Sequence, residues 1–110
     1  MPTTWPFLNK TSTAYVASLV VKNGASTLYG LSGYNSLASP QFIQIHDAGS
    51  LPADTAVPVV IVSVAASSNF SVDFGENGRT FSNGVVVCNS TTGPTKTIGA
   101  ANCWFDVQYT

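Results

Sequence analysis

With 110 residues, 45% of them hydrophobic but only 8% charged, the chain has material for one domain around one core and is too apolar to be disordered. Its four basic residues, Lys10, Lys22, Arg79 and Lys96, are scattered and the net charge is −1, which excludes a phosphate-neutralising surface and with it nucleic acid as main partner. No apolar run nears the roughly 20 residues of a membrane-spanning helix, so no membrane is expected as a partner either.

So few charges also leave little to solvate a surface, and interface cores are depleted in charge. Part of the surface is therefore expected to be covered by a partner, the alternative being a monomer solvated by its Ser and Thr hydroxyls. The opening residues lack the charged start and apolar centre of a secretion signal, so the chain is expected either to be made in a cytoplasm or to be a mature form.

Residues 1–12 read as an extended N-terminal arm, because Pro2 and Pro6 withhold amide donors and bar a helix. The arm carries Trp5, Phe7 and Leu8, which water disfavours, so it either folds back over its own sheet or docks on a neighbouring subunit. Residues 13–110 then form the domain proper. Residues 13–21 are β-branched and apolar without a helical stripe and predict a strand. This run leads into Asn23-Gly24, the strongest short-range hairpin signal, and a return strand is expected over residues 26–34. Gly30 and Gly33 within it mark a bulge or a close approach.

Residues 41–46 predict a short strand, and residues 47–58, punctuated by Gly49, Pro52 and Pro58, a surface loop. Residues 59–64 are continuously apolar, consistent with a strand covered on both faces. Residues 69–74 alternate, with Phe70, Val72 and Phe74 on one face, before a turn at residues 75–78, and residues 79–81 lead into the C-terminal hairpin. Residues 84–109 read as a β-hairpin with a long loop. In its second strand Cys103, Phe105, Val107 and Tyr109 face inward by parity, and Trp104, Asp106 and Gln108 outward. About seven or eight short strands with regular turn signals make an all-β chain, a single β-sandwich of jelly-roll or immunoglobulin-like topology.

Cys88 and Cys103 sit at matching ends of that expected hairpin. They are either a cross-strand disulfide, worth roughly 3 kcal/mol in the chain-entropy model, or two buried free thiols of a reducing compartment. With one histidine they make no zinc site, and no cofactor is implied. His46 stands beside Asp47, but no nucleophile elbow accompanies them; Gly30-Leu31-Ser32-Gly33 falls one residue short of one and reads as strand, so no enzyme is expected. Asp47, Asp54, Asp73 and Glu76 lack the alternation of a calcium loop.

An outward Trp104 ringed by polar groups has the character of an interface anchor, unless the aromatic arm covers it within the same chain. Trp104 together with Tyr15, Tyr29 or Tyr34 would also suit the stacking face of a carbohydrate-binding adhesion module, so a glycan is the alternative partner.

The stretch from Asn69 through Gly84–Asn89 to Cys103–Tyr109, with Phe42–Asp47 and Leu51–Asp54 upstream, resembles small all-β structural proteins of tailed bacteriophages. The resemblance covers about two-thirds of the chain. It implies a virion component, made in the host cytoplasm: a capsid decoration or cement protein, a head-fibre or spike piece, or a small tail protein. Such a protein would self-associate as a trimer or larger symmetric oligomer and pack on other virion proteins, such as the major capsid protein. No catalytic motif comes with it.

Overall fold

A computed structural model describes residues 8–110 as nine β-strands: β1 Leu8–Thr11, β2 Ser18–Asn23, β3 Ser26–Asn35, β4 Gln41–His46, β5 Val60–Val64, β6 Ser68–Asp73, β7 Arg79–Phe81, β8 Gly84–Ser90 and β9 Cys103–Tyr109. Among the described residues no helix is long and apolar enough to cross a membrane. The strands form two antiparallel sheets, β1-β9-β3-β6 with β7 also on β3, and β2-β8-β4-β5. The all-β sandwich expected from the alternation is the fold.

Its topology follows from the pairing. β1 pairs with β9, β2 with β8, β3 with β6 and β4 with β5. The chain is thus one long hairpin of four antiparallel pairs, and β9·β3 and β8·β4 contacts wrap those pairs into two sheets. That is a jelly roll, with β7 added between its sixth and seventh strands.

Inward side chains of both sheets meet in one core. Leu28, Leu31, Phe70, Phe105 and Val107 come from one sheet and Ile43, Ile45, Val64, Val85 and Val87 from the other. The Phe70 and Phe105 rings lie 5.9 Å apart at 58°. Gly33 is where a side chain cannot be fitted: a Cβ there would overlap the carbonyl oxygen of Trp104 and the Phe70 ring. Gly30 follows the register shift in β3, the bulge that lets Leu28 and Leu31 both reach the core.

Both expected hairpins are corrected. β2 and β3 flank Asn23-Gly24, and Gly24 has a positive φ of 132°, yet the two strands belong to different sheets. β8 and β9 are likewise in opposite sheets. In each case the apolar faces of the two strands meet across the core, so the connection crosses the sandwich instead of continuing one sheet. The strand expected from residue 13 begins at Ser18 for the same reason. Val16 bridges to Cys103 in the first sheet before the chain leaves for the second.

The end of the expected arm is also a strand of the sandwich. Residues 8–11 pair with β9, and Leu8 lies beside Tyr109 at the sheet edge, 53% exposed. Trp5 and Phe7 lie outside the described residues.

Candidate functional site

The outer face of the five-stranded sheet is a lattice of small, polar and aromatic side chains whose positions follow from register. Across β9, β3 and β6 the outward residues align in three rows: Trp104, Tyr34 and Asn69; Asp106, Ser32 and Ser71; Gln108, Gly30 and Asp73. At about 3.4 Å per residue the first and third rows stand about 14 Å apart. The parity read from the sequence holds here: Cys103, Phe105 and Val107 are buried, while Trp104, Asp106 and Gln108 are half-buried on the opposite side.

Trp104 is partly covered from its own chain by Tyr15, whose ring lies 5.5 Å away at 58°. With Tyr34 beside it in register, three aromatic side chains gather at this end, as the tyrosine count alone could not have told. Tyr29 lies at the other end. In the middle row Asp106 accepts hydrogen bonds from Thr11 Oγ1 (2.9 Å) and Gln108 Nε2 (3.2 Å). The latter bond leaves Gln108 Oε1 over Gly30, where an added Cβ would come within 3.0 Å of it. Beside Gly30 lies an open hollow of about 560 Å³ with a mostly apolar surface, lined by Tyr29, Leu31 and Val72 along with Ser32, Ser71, Asp73, Glu76 and Gln108. Asp73 is held at its rim by the Gly75 amide, 2.7 Å from Oδ1.

The outer face of the four-stranded sheet differs. Val86, Cys88 and Ser90 of β8 and Gln44 and His46 of β4 point away from the core, yet all are buried. Residues 91–98 roof them. Gln44 Nε2 donates to the carbonyl oxygens of Thr92, Gly93 and Thr95 at 3.0, 2.9 and 3.1 Å. Lys96, itself buried, reaches Asp54 Oδ1 at 2.7 Å.

His46 Nε2 meets Gln44 Oε1 at 3.1 Å. Burial, and then the nearby Lys96 charge, lower the His46 pKa. The Asp47 carboxylate is engaged by the amides of Asn83, Ser82 and Gly84, which hold its pKa down against a small burial penalty. Asp54 is used by Lys96 and the Ile98 amide. These residues tie loops down, and no group of three or more His, Cys, Asp or Glu side chains gathers for a metal among the described residues.

Both cysteines are free and buried, and strand parity separates them. Cys103 points into the core, where Gln41 Nε2 lies 3.1 Å from its sulfur. Cys88 stands on the outer side of β8, under the roof, between the inward Val87 and Asn89. A cross-strand disulfide would have required β8 and β9 to be partners in one sheet. Burial pushes the Cys88 thiol up to about 11, outweighing the pull of Lys96, and also raises that of Cys103.

β5 was expected to be covered on both faces and is not. It is an edge strand: Val60, Val62 and Val64 face the core, but Val59 and Ile61 on the outer side are 41% and 44% exposed, and Val57 is 75% exposed. No charged residue occurs between Asp54 and Asp73. This apolar strip was missed in the sequence because an unbroken run of β-branched residues looks the same at a centre and at an edge.

No protein-family model matches the chain, and no curated protein matches it in sequence. Among solved structures it is similar to the coat protein of tobacco streak virus in a C2 crystal form, with 14% identity and a TM-score of 0.44 over 96% of this chain and 90% of that one. A structure of that virus's coat protein dimer gives 16% identity and a TM-score of 0.47 over 92% of this chain and 83% of the other. So slight an overlap assigns no function.

Proposed function

We propose that this chain is a structural protein of a virus particle that self-associates, and that within the tailed bacteriophages it decorates or cements the capsid. The observation that carries the reading is the uncharged edge strand β5 with its exposed Ile61, continued by the exposed Val57 and Val59 of the segment that leads into it. Natural edge strands are guarded by lysine, proline or a bulge; β5 itself has none of these within Val60–Val64, and the one proline of the strip, Pro58, precedes it. Its free backbone donors and acceptors are complementary to those of a second copy running antiparallel, and its apolar side chains resemble an interface core.

Low overall charge and the resemblance of residues 42–54 and 69–109 to phage structural proteins support the same reading, as does the jelly roll, a fold common in capsid proteins. Assembly through Trp5, Phe7, Leu8 and Trp104 belongs to this proposal as a second contact, with the major capsid protein as further partner. Native mass spectrometry tests it. The wild-type chain should give a symmetric oligomer, and Ile61→Lys should shift it to a monomer that keeps the β-sheet circular dichroism spectrum and whose melting temperature no longer depends on protein concentration. A wild-type chain that stays monomeric at every concentration and does not bind its virus particles would overturn it.

A further inference from the structure

We infer that the outer face of the five-stranded sheet binds an uncharged oligosaccharide lying along β3 and β9. This face belongs to the opposite sheet from β5, so the inference stands apart from self-association through that edge and shares with the second assembly contact only Trp104.

A saccharide has two chemistries, a C–H face that packs on aromatic rings and a rim of hydroxyls that each donate and accept hydrogen bonds. The three rows offer both in sequence. At one end Trp104, Tyr34 and Tyr15 supply aromatic surface, with the tilted Tyr15–Trp104 pair fixing the indole. At the other, the Gly30 hollow presents the hydroxyls of Ser32 and Ser71, the carboxylates of Asp73 and Glu76, and the amide of Gln108. Carboxylates accept only, serines do both, and the anchored glutamine offers Oε1, which suits a ring bearing several hydroxyl donors.

The geometry sets the size and charge of the ligand. A span of about 14 Å between the aromatic row and the hollow calls for more than one sugar ring. Asp106, Asp73 and Glu76 lie on or beside the rows and no basic side chain stands in them, so sialylated or phosphorylated glycans would be repelled. The hollow is already present in the free chain and mostly apolar with a few polar groups, as small-molecule sites commonly are.

The test is saturation-transfer NMR and calorimetry on the full chain. The probes are di- to tetrasaccharides of hexoses and N-acetylhexosamines, with sialylated and phosphorylated oligosaccharides of equal length beside them. An uncharged oligosaccharide should bind while its acidic counterparts do not. Affinity should fall about tenfold, some 1.4 kcal/mol, in Gln108→Ala and in Tyr34→Ala. Trp104→Ala also removes a packing contact, so Ser71→Val, which alters only an exposed position in the hollow, serves as the variant whose folding is not in question, and it should weaken binding as well. No saturation transfer to any uncharged probe, equal binding of acidic glycans, or full affinity in both Gln108→Ala and Ser71→Val would each overturn the inference.

Discussion

The two outer faces of the sandwich obey the same strand parity and end in opposite states. On the five-stranded sheet, the residues turned away from the core meet solvent: Asn69, Ser71 and Asp73 are exposed, and Trp104, Asp106 and Gln108 half-buried. On the four-stranded sheet the equivalent residues of β8 and β4 are sealed. The difference lies in the connections. Residues 91–102 link β8 to β9 across the sandwich and lie over the four-stranded sheet on the way, pinned by Gln44, Ser90 and Lys96. Burying amide and imidazole groups there is tolerable because the Gln44 amide donates to the loop's carbonyls and His46 pairs with Gln44. One face is thereby structural, and the other is left free for contact.

Breaking the pins should have the largest effect. Gln44→Ala removes donors to three carbonyl oxygens and the partner of His46, and leaves a void under the roof. A loss of about 2–4 kcal/mol is expected, combining a cavity with unpaired buried acceptors. Urea denaturation measures it. The roof should also loosen before the core does. Alkylation followed by peptide mapping should then label Cys88 in the variant under conditions where the wild type, with its buried thiol held at about 11, stays unmodified.

A smaller effect comes from protons. Burial and Lys96 depress the folded-state pKa of His46 below its ordinary 6.5. The unfolded chain therefore binds the proton more readily, and stability is full above that pH and falls as pH drops toward the folded value. Asp47 and Asp54 are also depressed, from 3.8, so their contributions are lost only in a more acidic window. Urea midpoints at pH 7, 6 and 5 should decline in the wild type and stay flat in His46→Gln. An equal decline in both would place the titration elsewhere.

How much of this was legible in the sequence depends on the range of the interaction. Alternation in Cys103–Tyr109 located core and surface in β9 correctly, because parity is local, and Gly30 and Gly33 correctly announced a bulge and a close approach. Pairing was not legible. Asn23-Gly24 and the residues 84–109 both looked like hairpins, since a turn that crosses a sandwich uses the same residues as one that stays in a sheet. The disulfide option fell with the hairpin that would have made it. Lys96 read as one of four scattered surface charges, and nothing in its neighbours foretold that a loop would bury it against Asp54. The aromatic group showed the reverse case: Trp104 was turned outward by parity, but Tyr15 and Tyr34 joined it only through the β3–β9 register and the loop before β2.

The smallest expected effect sharpens the contrast from the open side. Ser71 is exposed on β6, opposite Ser32, and faces away from the core. Valine has the higher strand propensity and its branched side chain suits a pleated surface, so Ser71→Val should shift stability by no more than about 0.5 kcal/mol, toward greater stability. A change of that size on one face against several kcal/mol for Gln44 on the other would mark the five-stranded sheet's outer side as surface that folding does not use. A large loss in Ser71→Val would instead mean that this face is packed against something in the folded protein, and melting curves at two protein concentrations would show whether that something is a second copy.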